Sequence, residues 1–271
     1  ISYLPDGEAN LITKGLLPGL LVLIHKKGDK ANLDNWRPIS LLCTDLKIIS
    51  KAIAFKIRAA LPDIIHHDQT AGVPRRAITD NLWLARDIFN YSAEQRVPGY
   101  LISLDQSKAF DRVNHQFLDK VLNKFGFGPK LRNWIKTLYS GSRSYIQNNG
   151  HLSLPAYIKR GVRQGCPLSA YLYTIVIETL AQSIRKDTQI KGYPIPNLET
   201  VKTSLYADDA HIYINRINKV TSMNRLTQKL KLYEKASGSK LNLDKSQITA
   251  FGGTPDLSLI HISEPTRRVL I

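Results

Sequence analysis

The sequence predicts an α+β fold, one sheet backed by helices. Apolar residues recur at helical spacing in several long stretches, and short apolar runs bounded by turns lie between them. Two tight-turn signals split pairs of these runs into hairpins. Composition agrees: 43% hydrophobic and 22% charged residues in a chain of 271 are globular values. The length allows one large or two small domains with a real core.

The elements follow in order. Leu16 to Ile24 (LLPGLLVLI) reads as a short buried strand before the polar turn Lys26-Lys27-Gly28-Asp29. Interrupted by Pro18 and Gly19, it is too short to span a bilayer and lacks signal-peptide flanks. Leu46 to Leu61 predicts a helix closed by Pro62. A helix over Thr79–Ser92 would place Leu82, Leu84, Ala85, Ile88 and Phe89 inward. Tyr100 to Leu104 (YLISL) follows the turn Pro98-Gly99 as a buried strand. Helices over 114–125 and 130–140 are split by Gly126-Phe127-Gly128-Pro129, and their apolar positions repeat at three and four. Asn149-Gly150 marks a hairpin. Leu168 to Arg185 predicts a long apolar helix, and Ser204 to Ile214 a second hairpin around Ala207-Asp208-Asp209. A helix near 219–236 and a strand near 240–243 complete the pattern. The helices at 114–140 and 168–186 are expected to cover the sheet. The chain begins with Ile1, so it reads as a piece of a longer polypeptide.

Charge narrows the function classes. The formal net charge is +16, from 38 basic and 22 acidic side chains. Residues 61–100 are nearly balanced, whereas 101–160 carry ten basic and three acidic groups. Such a field attracts polyanions, with nucleic acid and an anionic membrane surface as the two obvious partners. Two cysteines, Cys43 and Cys166, cannot build a disulfide framework or a four-thiolate zinc site.

Against this background three carboxylates stand out. Asp105 directly follows the strand YLISL, and Asp208 and Asp209 sit at the tip of a tight hairpin. An Asp-Asp pair alone is more readily a solvated turn. Its place between two apolar strands of a basic chain points instead to a site. If the two strands are neighbours, Asp105 and Asp208 converge, and hard divalent ions such as Mg²⁺ take such oxygen ligands together with substrate phosphates. Two such ions about 4 Å apart serve nucleotidyl transfer.

The runs LDQSKAFDRVNH (Leu104–His115), GVRQGCPLSAYLY (Gly161–Tyr173) and YADDAHIYI (Tyr206–Ile214) resemble the successive catalytic motifs of reverse transcriptases, in the style of non-LTR (LINE-type) retrotransposons. NWRPISLL (Asn35–Leu42) resembles the family's early fingers motif and SGSKLNLDKSQ (Ser237–Gln247) its late palm motif. The resemblance covers residues 20–250. It implies polymerase fingers over 1–95 and a palm over 96–250, the palm a ferredoxin-like (split βαβ) antiparallel sheet. Residues 251–271 are expected to be a non-native or disordered tail, since SLIHISEPTRR matches no family pattern. The thumb is expected to be missing, so the fragment alone should be inactive.

By resemblance the activity is RNA-directed DNA synthesis from a primer 3′-hydroxyl. The metal pair is Asp105 and Asp208, with Asp209 in support, holding two Mg²⁺ for which Mn²⁺ can substitute. Phe110, in KAFD, matches an aromatic steric gate that selects deoxynucleotides, and Asp111 is structural. Gln164 and Gly165 match a turn that lies against template and incoming base, where a bare glycine permits close approach. Lys245 matches a lysine that assists departing pyrophosphate. In QTAGVPRR (Gln69–Arg76), Arg76 matches a triphosphate clamp, although Ala71-Gly72 replaces a usual Gly-Phe and Arg75 a usual glycine. Arg37 and Lys47 would lie near template and primer. The implied partners are an RNA template, a DNA primer and dNTPs, with no membrane. The implied setting is an intracellular ribonucleoprotein of nucleus or cytoplasm, not a secreted protein. The alternatives are a catalytically dead nucleic-acid-binding remnant and a group II intron maturase-like polymerase; an RNA-dependent RNA polymerase is disfavoured by YADD and the KAFD aromatic.

Overall fold

The computed structural model describes residues 18–196 and 200–253. In chain order the strands are β1 (Gly19–His25), β2 (Trp36–Leu41), β3 (Gly99–Leu104), β4 (Arg143–Asn148), β5 (His151–Leu152), β6 (Ala156–Tyr157), β7 (Thr203–Tyr206), β8 (Asp209–Asn215) and β9 (Gln247–Phe251). The helices are α1 (Thr44–Ile64), α2 (Ile78–Gln95), α3 (Ala109–Arg112), α4 (His115–Lys124), α5 (Pro129–Tyr139), α6 (Ser169–Arg185) and α7 (Lys219–Ser237).

These elements form two units, each drawn from two stretches of chain. The first holds the described residues up to 60 together with 110–173; the second holds 61–109 and the described residues from 174 onward. Neither unit is a single contiguous stretch of chain. The physical reason is strand pairing: β1 pairs antiparallel with β2 but parallel with β4, which draws the middle of the chain into the first unit. There β4 also turns back into β5 through Asn149 (φ 48°) and Gly150 (φ 81°), the two positive dihedrals of a type I′ hairpin. On α4 and α5, Leu118, Val121, Leu122, Ile135 and Leu138 are buried, and Lys120, Lys124, Lys130 and Lys136 are exposed. These four lysines therefore lie on the outer faces, whereas Arg132 is half-buried and bonded to Asp119 and Asn123.

The second unit is built on a four-stranded antiparallel sheet in the order β7–β8–β3–β9. Read from β9, this is the split βαβ order expected for the palm. α2 packs against β7 and β9 of this sheet, and α7 against β8. Residues 114–140 cluster instead in the first unit. Ile88 of α2, Tyr193 and Tyr213 are fully buried, surrounded by Leu84, Tyr91, Val97, Leu101, Ile195, Val201 and Phe251. Gly99 passes beneath two of these rings, and a Cβ there would lie 2.7 Å from Phe251 and 2.8 Å from Tyr193. Only glycine fits such a contact.

Several boundaries move. α1 runs on to Ile64, so Pro62 lies inside its last turn rather than ending it. Leu82 is 60% exposed, not inward. The strand near 240–243 is a single bridge, Gln106 with Leu241; the fourth strand of the sheet is β9. Phe251 therefore belongs to the core rather than to the tail. The rest of the proposed tail, from 254, lies outside the described residues. Among the described residues, no helix is long and apolar enough to cross a membrane.

Candidate catalytic site

β3 is the inner strand that carries Asp105. It pairs with β8 from Gly99–Asn215 through Leu104–Ala210, and with β9 along its other side. Asp105 follows the last of these pairs, at the sheet end where Asp209 opens β8. Tyr206 pairs with Asp209, so Ala207 and Asp208 form the two-residue loop of the hairpin. Ala207 has φ 56° and Asp208 has no positive φ, the sign pattern of a type II′ turn. Alanine in that region is strained by about 1 kcal/mol or more. Asp105 and Asp208 are half-buried and Asp209 is exposed. The register of β3 with β8 and of β7 with β8 sets Asp105, Asp208 and Asp209 at one end of the sheet.

Flanking segments hold both sides. The Asp105 amide donates to Ser246 Oγ (3.1 Å), whose hydroxyl donates in turn to the Asn242 carbonyl (2.8 Å). The Asn242 amide donates to the Asp105 carbonyl (2.9 Å). On the hairpin side, residues 68–70 run parallel beside β7: Leu205 N–H donates to the Asp68 carbonyl (2.8 Å), and Thr70 N–H to the Leu205 carbonyl (3.1 Å). The Gln69 side chain, fully buried, accepts from the Ala207 amide (3.1 Å) and the Ala71 amide (3.0 Å), and its Nε2 lies 3.5 Å from the Ala207 carbonyl.

Beneath that hairpin sits a buried ionic cluster. Arg185 donates to both oxygens of Asp68 (2.9 and 2.8 Å) and also to Glu178, and the Thr203 hydroxyl donates to Asp68. Burial pushes the Asp68 carboxyl up, but the His66 hydrogen bond, the Arg185 charge and the Thr203 hydroxyl together hold it below the usual carboxylate range. Burial raises Glu178, which Arg185 only partly offsets. Burial also lowers His211, on β8, and so favours its neutral form despite Asp209.

The remaining motif residues lie in the first unit or at the rim of the second. Phe110 is half-buried and stacks on the buried Tyr173 ring, centroids 4.6 Å apart and planes at 20°. Gln164 Nε2 reaches both oxygens of Asp111 at 3.1 Å, and the Gln164 carbonyl accepts from Ser40 N–H at 2.8 Å. Gly165 has φ 102°, and a Cβ there would meet the Ser40 carbonyl at 2.7 Å. The glycine is thus demanded by the crossing of its own chain over β2, whatever else approaches. The pairing with Gln164 also agrees with a structural Asp111.

Arg76 departs from its expected role. Its guanidinium donates to the carbonyls of Ile65 (2.9 Å), Gln69 (2.9 Å), His66 (2.5 Å) and Pro62 (3.4 Å). It therefore closes the end of α1, where carbonyls lack helical partners, instead of presenting its donors to a triphosphate. Arg75, standing where the family commonly has glycine, has φ 65°, which explains that glycine. Lys245, Arg37 and Lys47 are exposed. Sequence reasoning missed Gln69 and Ser246 as supports of the carboxylates. The only signal was their position inside two of the resembling motifs.

Comparisons with known proteins agree with this geometry. The profile of the family described as reverse transcriptase (RNA-dependent DNA polymerase) matches residues 24–267. The chain is 38% identical over 238 residues to the transposon TX1 uncharacterized 149 kDa protein of Xenopus laevis, covering 86% of this chain and 18% of that protein. It is 30% identical over 188 residues to a retrovirus-related Pol polyprotein from a type-1 retrotransposable element R2 of Popillia japonica, covering 69% of this chain and 26% of that one. The chain thus spans about a fifth to a quarter of the length of these relatives. Among solved structures, apo telomerase from Candida tropicalis, truncated from its C-terminal domain, shares the fold, with TM-score 0.61, 15% identity, and coverage of 90% of this chain and 51% of that one. Sheet order, motif order and these matches converge: the chain belongs to the reverse transcriptase (RNA-dependent DNA polymerase) family, in its non-LTR retrotransposon branch.

Proposed function

We propose that the chain is the fingers and palm portion of a retrotransposon polymerase that copies an RNA template into DNA from a primer 3′-hydroxyl. The observation that carries this reading is the register of β3 against β8, which sets Asp105 at the same sheet end as the Ala207-Asp208 turn. The donor set suits divalent magnesium. Asp105, Asp208 and Asp209 offer only hard oxygens, and among the described residues no group of three or more His, Cys, Asp or Glu side chains could hold an ion by itself. Mg²⁺ is commonly held in this way, by one or two carboxylates with substrate phosphates and water completing its shell. Two Mg²⁺ ions there would supply charge neutralisation for the attacking and leaving oxygens, with Mn²⁺ as a substitute.

The protein's own part is positioning. Asp105 and Asp208 present carboxylates on a rigid sheet end, and Asp209 adds negative charge at its rim. Little covalent work falls to the chain in phosphoryl transfer of this kind. Phe110, fixed by its stack on Tyr173, is the ring we assign to exclusion of a 2′-hydroxyl. Gln164 and Gly165 would shape the turn near template and incoming base, and Lys245 would meet departing pyrophosphate. The exposed lysines of α4 and α5, with Arg37 and Lys47, suit the backbone of an A-form RNA–DNA duplex, read by shape rather than sequence. We assign the polymerase to an intracellular ribonucleoprotein of the nucleus or cytoplasm.

Primer extension by the full polypeptide carrying this domain, on an RNA template with dNTPs and Mg²⁺, tests the reading. Asp208→Ala is expected to abolish product; unchanged product would refute the metal assignment. In the same assay Phe110→Ala is expected to relax rejection of ribonucleotides. Unaltered discrimination would leave Phe110 a core ring.

A further inference from the structure

The buried groups around the hairpin include one with no part in the chemistry so far described. Gln69 is uncharged and fully buried, yet its Oε1 accepts from two main-chain amides and its Nε2 lies at the limit of hydrogen-bond reach of Ala207's carbonyl. One of those amides belongs to Ala207, the residue immediately before Asp208, whose φ of 56° alanine adopts only under constraint. Tyr206 and Asp209, on either side of the turn, are paired with each other across the hairpin.

The backbone of Gln69 is itself fixed. Its neighbours Asp68 and Thr70 bond to Leu205 of β7, and the Asn81 amide group donates to the same Leu205 carbonyl (2.9 Å). The Gln69 carbonyl is held in turn by Arg76 (2.9 Å). A side chain anchored in this way can impose a dihedral on a loop 138 residues away in sequence. Without the Oε1 acceptor, the half-buried Ala207 amide loses this hydrogen bond, and the turn gains by relaxing to negative φ. Such a flip would rotate the peptide that precedes Asp208 and re-aim its carboxylate.

We infer that Gln69 is a positioning residue for the catalytic reaction: its carboxamide holds Ala207 in the left-handed conformation and thereby aims Asp208 at the metal-binding end of the sheet. The inference rests on the proposed polymerase reading for its catalytic consequence, but not for the clamp itself. It also gives the uncharged glutamine of QTAGVPRR a role in the chemistry, acting through the turn rather than on nucleotide.

The test uses the full polypeptide carrying this domain and three forms: unaltered, Gln69→Met, and Gln69→Met with Ala207→Gly. Methionine keeps the volume and removes the hydrogen bonds. Hydrogen exchange at the Ala207 amide, read by mass spectrometry or NMR, should quicken by about tenfold in Gln69→Met, the scale of one lost hydrogen bond. Primer-extension kcat should fall by ~10²-fold, as small misplacements of a reacting group do. KM for dNTP should stay within about threefold, because only transition-state geometry is lost. Ala207→Gly should restore at least about tenfold of that kcat, since glycine holds positive φ without a clamp. Unchanged Ala207 exchange in Gln69→Met would overturn the clamp. A loss of kcat that Ala207→Gly does not restore would overturn its role in aiming Asp208. If the unaltered polypeptide extends no primer, the polymerase reading fails, and exchange at Ala207 still decides the clamp.

Discussion

Asp105 and Asp208 reach the same end of one sheet by different means. Asp105 follows an inner strand paired along both sides, with six register pairs to β8 and five to β9. Its backbone direction is set by main-chain hydrogen bonds that no single side chain controls. Asp208 lies in a two-residue turn entered from β7, at the edge of the sheet, and follows a residue in strained φ. Its placement depends on side chains: Gln69 on the turn, and Asp68, Arg185 and Glu178 beneath it. Main-chain pairing is robust to substitution, whereas an edge hairpin aimed by buried polar groups is not. One carboxylate is held by topology and its partner by sequence.

The largest expected break in this comparison comes from Arg185→Met. It leaves Asp68 and Glu178 buried without their shared cation, which destabilises by about 3–5 kcal/mol. Thermal unfolding would show the loss. Hydrogen exchange should show it first at Thr203–Tyr206 rather than at Tyr100–Leu104; equal loss in β3 and β7 would erase the distinction. A smaller effect is expected on the other side. Ser246→Ala removes the acceptor of the Asp105 amide, worth about 1 kcal/mol. With β3 still paired along both sides, the kcat of primer extension should fall less than in Gln69→Met. A larger fall would mean that Asp105 too is aimed by side chains. The smallest effect is a gain. Arg75→Gly relieves a left-handed residue in the loop that carries Gln69, and should raise stability by about 0.5–1 kcal/mol by denaturant midpoint. A decrease would show that Arg75 makes a contact that outweighs its strain.

What the sequence made legible follows the same division. Helical spacing of apolar residues located the long helices, and turn residues between short runs located both hairpins, with Asn149-Gly150 marking one of them. Asp105, Asp208 and Asp209 were legible because carboxylates between apolar strands are conspicuous in a basic chain. The rest depended on contacts distant in sequence. Arg76 looks like a free cation until the carbonyls of Pro62, Ile65, His66 and Gln69, at and beyond the end of α1, meet it. Gly165 looks like room for a ligand until the Ser40 carbonyl fills it. Leu82 has the right spacing to be buried, but the sheet lies under Ile88 instead. QITAF lacks the clean alternation that would have marked β9, and its Phe251 is recognised only by the Gly99 it covers. Gln69 carries no charge, so apart from its place in QTAGVPRR nothing local marks a residue whose partner is 138 positions away.

The central claim is that Asp105 and Asp208 act as one unit. A double-mutant cycle of single-turnover primer extension tests it most directly, with Asp105→Asn, Asp208→Asn and both together in the full polypeptide. Each single change is expected to lower the rate by about 10³-fold, and the pair to be no worse than the more damaging single, because groups that act together are strongly non-additive. A double variant whose loss is the product of the two single losses, or an Asp208→Asn variant that extends at the unaltered rate, would contradict the account.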